Sequence, residues 1–143
     1  MQHASLMIKT DCLLLNSDSQ TIAGVWLDSA PYIRIEKDAT PELIIEKLFE
    51  VLNSSRIGIP HPTDWSGITK AYVHSMGYKS LKQLYKDAKN CSICCENGNL
   101  EFLPTVNDGR GFAHKPGLII TIKSSEPIPK IYAALMEAID KCE

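Results

Sequence analysis

The stretch that decides the fold reads Cys91-Ser92-Ile93-Cys94-Cys95-Glu96-Asn97-Gly98-Asn99-Leu100-Glu101-Phe102-Leu103. Asn97-Gly98 lies between two largely apolar runs, and both of its residues tolerate the positive φ that a tight hairpin turn demands. The stretch therefore predicts a β-hairpin, and with it an antiparallel sheet. Side chains alternate along a strand, so Cys91, Ile93 and Cys95 should share one face and Cys94 should point to the other.

Toward the N-terminus, Leu6 to Leu15 and Ile22 to Leu27 are apolar runs separated by the polar cluster Asn16-Ser17-Asp18-Ser19-Gln20. Asp28-Ser29-Ala30-Pro31 reads as a turn into Tyr32-Ile33-Arg34-Ile35-Glu36, where apolar and charged residues alternate. A three-stranded antiparallel meander follows, with Trp26 on a strand and expected in the core. Thr40-Pro41 is a cap followed by proline at the first helical position, and Ile44, Leu48, Val51 and Leu52 recur at helical spacing up to Asn53-Ser54-Ser55. Pro60 and Pro62 forbid a continuous helix through Arg56 to Pro62, which reads as an ordered loop. A second helix is expected over Ile68 to Ser75. Ser80 caps a third, whose Leu81, Leu84, Tyr85 and Ala88 share a face.

Toward the C-terminus, a Gly/Asn/Asp-rich stretch from Asn107 to Gly117 leads to Leu118-Ile119-Ile120-Thr121-Ile122. So apolar a run predicts a buried central strand. A last helix, starting around Pro127 to Pro129, presents Ile131, Ala134, Leu135, Ala138 and Ile139 on one side. The expected fold is α/β in the mixed α+β sense: one domain over residues 1–143 with a largely antiparallel central sheet, helices packed on it, an N-terminal β-meander and a C-terminal helix. Residues 1–6 are read as a tail, disordered or foreign to the natural chain, with Met7 as an alternative start.

The 143 residues suffice for one core without disulfide staples. No run approaches the roughly 18 apolar residues of a membrane span, and Met1 to Lys9 lacks the pattern of a secretory signal. Five irregularly spaced cysteines (Cys12, Cys91, Cys94, Cys95 and Cys142) argue for free thiols in a reducing compartment. Cytoplasmic residence is the expectation. A net charge of −2 offers no field to draw a phosphate backbone and slightly favours a basic partner.

Candidate chemistry is sparse. Cys91-Ser92-Ile93-Cys94 has the spacing of a zinc ligand pair, and Cys95 and His114 could complete four, but alternation along a strand splits the chelate. Buried thiols are expected, with no metal and no cofactor. His61 between two prolines lies close to Asp64, and Ser66 or a cysteine can be imagined as a nucleophile, against the plainer reading of a locally bonded loop histidine. Phosphate-cradling glycine motifs are missing, and Asp108-Gly109-Arg110-Gly111 reads as a turn. Lys79, Lys82, Lys86 and Lys89 would line one face of a helix beside Tyr78, either as an RNA contact or as a solvated face. Trp65 is either a plug over the core or an exposed interface anchor.

Ser55-Arg56-Ile57-Gly58-Ile59-Pro60-His61-Pro62, then Gly77-Tyr78-Lys79-Ser80 before an amphipathic helix, a hairpin and a closing Gly111-Phe112, resembles the immunity proteins of bacterial contact-dependent growth inhibition (CDI) systems. The likeness runs from about Met7 onward. It implies a mixed α/β fold without catalytic activity: a cytoplasmic antitoxin that binds the C-terminal domain of a large surface-displayed toxin one to one and blocks its active site or nucleic-acid groove. Such toxin domains are often nucleases acting on DNA or tRNA. The loop residues Arg56, Gly58, Pro60, His61 and Pro62 would be scaffold or interface. An inhibitor of a nuclease can present carboxylates to a basic groove, which makes Asp18, Asp28, Glu36, Asp38, Asp64, Glu96 and Asp108, together with Trp65, the candidate toxin-binding residues. Open sheet edges offer a second route. Neither nucleic acid nor membrane is an expected direct partner. The alternatives are a small hydrolase using the His61/Asp64 loop and an RNA-binding accessory protein using the Lys79–Lys89 stripe.

Overall fold

Strand β1 (Gln2–Ile8) runs through the middle of the sheet in the computed structural model, which describes residues 1–143. On one side it pairs antiparallel with β2 (Cys12–Thr21), from His3↔Asp18 to Ile8↔Leu13; on the other it pairs with β5 (Lys89–Glu96), from Gln2↔Cys95 to Ile8↔Lys89. Ala4 and Leu6 have no solvent exposure. The expected disorder of residues 1–6 is thereby corrected. Gln2-His3-Ala4-Ser5 reads as polar because only alternate side chains enter the core, but both of its backbone edges are occupied.

The meander is present with different boundaries. β3 (Trp26–Glu36) pairs with β2 through a register shift at Asn16/Ser17. Asp28 to Pro31, expected as a turn, lies inside β3, and the shift leaves Ala30 and Pro31 outside the ladder, where a proline without an N–H is tolerated. Asn16 to Gln20, expected as a separator, is the second half of β2, and the turns fall at Lys9–Asp11 and Ile22–Val25 instead. β4 (Ile57–Ile59) extends the β2 edge in parallel, beyond the end of β1.

The predicted hairpin joins β5 to β6 (Asn99–Asn107) across Asn97 and Gly98, at φ 52° and 79°. β7 (Phe112–His114) and β8 (Ile120–Lys123) pair with different parts of β6. The eight-stranded sheet runs β3-β2-β1-β5-β6-β7, with β4 on β2 and β8 on β6. β8 corrects the expectation of a buried central strand: it is a four-residue edge whose Ile120 and Ile122 pack inward while Thr121 and Lys123 face solvent.

Helices α1 (Pro41–Asn53) and α4 (Ile128–Asp140) cover one face of the sheet. Thr40 caps α1 by accepting the Leu43 N–H at 3.2 Å. Ile45, Leu48 and Leu52 of α1 and Ile131 and Leu135 of α4 close over Leu6, Leu15, Ile93, Leu100 and Phe102 in the larger core cluster. Cys91 and Ile93 belong to this cluster and Cys95 packs against it, whereas Cys94 faces away, as strand alternation requires.

The opposite face carries α2 (Trp65–Ser75) and α3 (Leu81–Tyr85). Tyr72, Val73, Met76, Leu84 and Ala88 pack there on Met7, Cys12 and Leu14. The expected longer third helix is cut to five residues: Asp87 adopts the left-handed conformation at φ 54°, and the Lys9 ammonium donates to the carbonyls of Gln83 (3.3 Å), Leu84 (2.7 Å) and Lys86 (2.7 Å). Lys89 then belongs to β5, so the lysine stripe is not one helix face. Because α2 and α3 rest mainly on the Met7–Leu14 end, they cover the His3–Asp18–Trp26 end of this face only in part, which leaves it the more open end.

Candidate functional site

On the open end, strand pairing stacks polar residues side by side. Ser5 lies opposite Asn16, His3 opposite Asp18, and Asp18 opposite Asp28. Ser5 Oγ donates to Asp18 Oδ2 at 2.8 Å, and the buried Asn16 amide donates to Asp18 Oδ1 at 3.1 Å and to Asp28 Oδ1 at 3.0 Å. Burial, followed by the neighbouring Asp28 charge, pushes the Asp18 carboxyl up to about 8. Burial also raises Asp28, against the stabilising hydrogen bonds from Asn16 and Asp18. Burial thus shifts both carboxyls of the pair toward the protonated form.

Trp26 stands between two cavities and lines both. The larger, about 360 Å³, is walled by His3, Asp18, Cys94, Glu101, Leu103 and His114 among others. The His3 ring stacks on Trp26 with centroids 3.9 Å apart at 16°; burial, then the N-terminal charge, lowers its pKa and keeps the imidazole neutral. His114 Nε2 lies 3.1 Å from Ser92 Oγ. Burial holds the Cys94 thiol protonated, with Glu101 adding to the effect. The smaller cavity, about 180 Å³, holds Asp28 among Trp26, Trp65, Ile68, Tyr72 and Tyr85. Trp26 therefore lies outside both core clusters, which corrects its expected core position: it continues the side of β2–β3 that α2 and α3 leave partly uncovered.

The Arg56–Pro62 segment, expected as a loop but holding the strand β4 at Ile57–Ile59, buttresses this end. Gln20 N–H donates to Arg56 O at 2.8 Å and Ile22 N–H to Ile59 O at 2.9 Å, while Gly58, at φ +84°, supplies a backbone conformation that side chains disfavour. His61 Nδ1 sits 3.0 Å from Thr21 Oγ1, and its ring meets Trp65 edge-on at 5.4 Å. Asp64 accepts the Gly67 N–H at 2.9 Å as the cap of α2. His61 and Asp64 thus have separate structural partners rather than forming a catalytic pair. No group of three or more His, Cys, Asp and Glu side chains is positioned to hold a metal ion.

Of the candidate residues, Asp18, Asp28 and Trp65 converge on this end, and exposed Asp64 adjoins Trp65. Glu36 pairs with Cys12 at the far end of β3 and Asp38 follows it. Glu96 closes the hairpin, and Asp108 accepts the N–H groups of Arg110 and Gly111 within its own turn. Pro60 and Pro62 flank His61 at the loop, and Arg56 Nη1 donates to Asn53 O at 3.2 Å near the end of α1. His3, Trp26, Tyr72 and Tyr85 are not among the sequence candidates: register brings His3 and Trp26 beside Asp18 and Asp28, while Tyr72 and Tyr85 arrive on α2 and α3, for which the sequence carries no signal.

The CdiI family model, described as CDI immunity protein, matches residues 2–142. Immunity protein CdiI-YPIII of Yersinia pseudotuberculosis serotype O:3 (strain YPIII) is 31% identical over 98 residues, 64% of this chain and 52% of that protein, so the match spans about half of that relative's length. Among solved structures, a protein of unknown function from Neisseria meningitidis superposes with a TM-score of 0.81 at 16% identity, over 99% of this chain and 95% of that one. The CdiA-CT/CdiI toxin and immunity complex from Yersinia pseudotuberculosis matches with a TM-score of 0.78 at 18% identity, over 99% and 97% of the two chains. At these identities the structures speak for the fold alone, a mixed α+β domain with a C-terminal helix. The family match, covering all but the terminal residues, carries the assignment: this chain belongs to the CDI immunity protein family.

Proposed function

We propose that this protein neutralises the C-terminal toxin domain of a contact-dependent growth inhibition system by binding it one to one and covering its active site or nucleic-acid groove. Family membership over residues 2–142 is the observation that carries this reading. The toxin domain is a nuclease in this proposal, because an inhibitor that meets a phosphate-binding groove needs carboxylates and exposed anchors, and the open end of the sheet groups Asp18, Asp28 and Trp65, with exposed Asp64 next to Trp65 in the chain. The outer edge of β3, paired only with β2, offers the second route of strand addition. Inhibition occurs in the cytoplasm by binding alone, without catalysis or cofactor. No helix is long and apolar enough to cross a membrane.

The separate commitments of His61 and Asp64 favour this reading over a hydrolase, and the breaking of the lysine stripe favours it over an RNA-binding accessory. The test is co-expression with the toxin domain encoded beside this gene: cells carrying both should grow while nucleic acid stays intact. Growth arrest despite soluble co-expression contradicts the proposal.

A further inference from the structure

Asp18 and Asp28 have no counter-charge within the chain. The ion pairs join Arg34 to Asp11, Lys47 to Glu50, Lys115 to Glu143, Lys130 to Glu126 and Lys141 to Glu137, all elsewhere. The two carboxyls rely on Ser5 and Asn16, neutral donors that offset only part of the cost of removing an ionised carboxylate from water. The chain therefore carries a desolvated acidic pair but not the cation that would complete it.

The space for such a cation lies next to Asp28. The cavity of about 180 Å³ is walled by Trp26, Trp65, Tyr72 and Tyr85, with Asp28 as its one carboxylate and no basic residue in its lining. Ring faces attract cations electrostatically, more so where water is thinned out, and a planar guanidinium can stack on an indole while presenting its N–H fork to a carboxylate. An anionic group would meet repulsion from Asp28. An alkyl side chain would desolvate the acid further without compensating it. Trp65, 45% exposed on the rim, lets a side chain of a second protein enter without unpacking the core.

We infer that this aromatic cleft receives an arginine side chain of the partner protein, its guanidinium stacked against Trp26 and Trp65 and paired with Asp28. The inference rests on the toxin-binding reading and names what that surface recognises. Below the Asp18 transition, docking displaces a proton from the carboxyl pair to the buffer. The titratable groups facing the pair are Asp18 of β2, Asp28 and Tyr32 of β3, His3 of β1 beside Asp18 and Trp26, Tyr72 of α2 and Tyr85 of α3. Burial raises all three phenols and keeps them neutral, and burial lowers His3, which is likewise neutral. Affinity for a guanidinium therefore rises with pH as the carboxyl pair ionises.

The test uses the whole chain in two arms. Methylguanidinium chloride is titrated while the indole N–H resonances are followed by NMR at about pH 6 and about pH 9, on either side of the Asp18 transition near 8, with sodium chloride and neutral methylurea as controls. Saturable shifts of Trp26 and Trp65, stronger at the higher pH and weakened about tenfold in Asp28→Asn, are expected, since losing about 1.4 kcal/mol of interaction changes affinity tenfold. Equal shifts with methylurea, no saturable shift, or indifference to Asp28→Asn overturn the inference. In the second arm the neighbouring toxin domain should bind Asp28→Asn and Trp65→Ala at least about tenfold more weakly, with Glu36→Gln unchanged as the distant control. Tight toxin binding unaffected by Asp28→Asn overturns the arginine cleft and leaves the immunity reading standing. Failure of the native chain to bind toxin overturns the immunity reading, and the methylguanidinium arm still decides the chemistry of the cleft.

Discussion

Asp18 and Asp28 face one another across the β2–β3 ladder and share a single amide, with Asn16 Nδ2 donating to both at 3.1 and 3.0 Å. With its pKa raised from 3.8 to about 8, Asp18 makes the folded state hold a proton that the unfolded chain releases. Its stabilising contribution is complete below the unfolded value near 3.8 and is lost as pH rises through about 8. The urea midpoint of the native chain should fall across that window, and Asp18→Asn should flatten the slope and raise the midpoint at its upper end. An unchanged slope in the variant contradicts the pairing.

Removing residues 1–6 takes away most of β1, the strand that bridges β2 and β5, and exposes a ladder edge on each. A chain beginning at Met7 should fail to fold, seen as collapse of near-ultraviolet circular dichroism and loss of amide dispersion. A cooperative unfolding transition in that shorter chain contradicts the central placement of β1.

The cap of α2 depends on two residues at once. Asp64 accepts the Gly67 N–H, and a Cβ on Gly67 would collide with the same carboxylate. Asp64→Ala should cost about 1 kcal/mol by denaturant titration, the usual worth of such a cap. Gly67→Ala should destabilise through the same cap, so combining the two changes should cost less than their sum. Strict additivity would show that the cap and the glycine act independently.

Lys9, 7% exposed, closes α3 by serving three carbonyls. Lys9→Met keeps the alkyl packing but leaves those acceptors without the ammonium, and should lower stability by about 1–3 kcal/mol. Amide exchange should quicken over Leu84 to Ala88 ahead of the large core on the other face. Uniform quickening across the chain would contradict a local role for Lys9.

What was legible in the sequence was local chemistry. Asn97-Gly98 specifies its hairpin, Thr40-Pro41 starts α1, and the period of Ile131, Leu135 and Ala138 places α4, because each depends on neighbours a few residues away. The polar run Asn16–Gln20 could not be recognised as strand, since what makes it one is Ser5, Ser29 and Asp28 on the facing strands. The end of α3 was hidden for the same reason: Lys9 reaches it from more than 70 residues away. Charge and anchor chemistry point to Asp18, Asp28 and Trp65 as binding candidates, but strand register is what brings Asp18 and Asp28 beside His3 and Trp26, and the packing of α2 is what adds Trp65.

The most direct measurement is isothermal titration of this chain with the isolated C-terminal domain of the toxin encoded beside it, paired with the nuclease activity of that domain. One-to-one association is expected at a Kd of about 1 nM or tighter, worth about 12 kcal/mol, with activity abolished at equivalence. Absence of heat and of inhibition by a folded chain would contradict it.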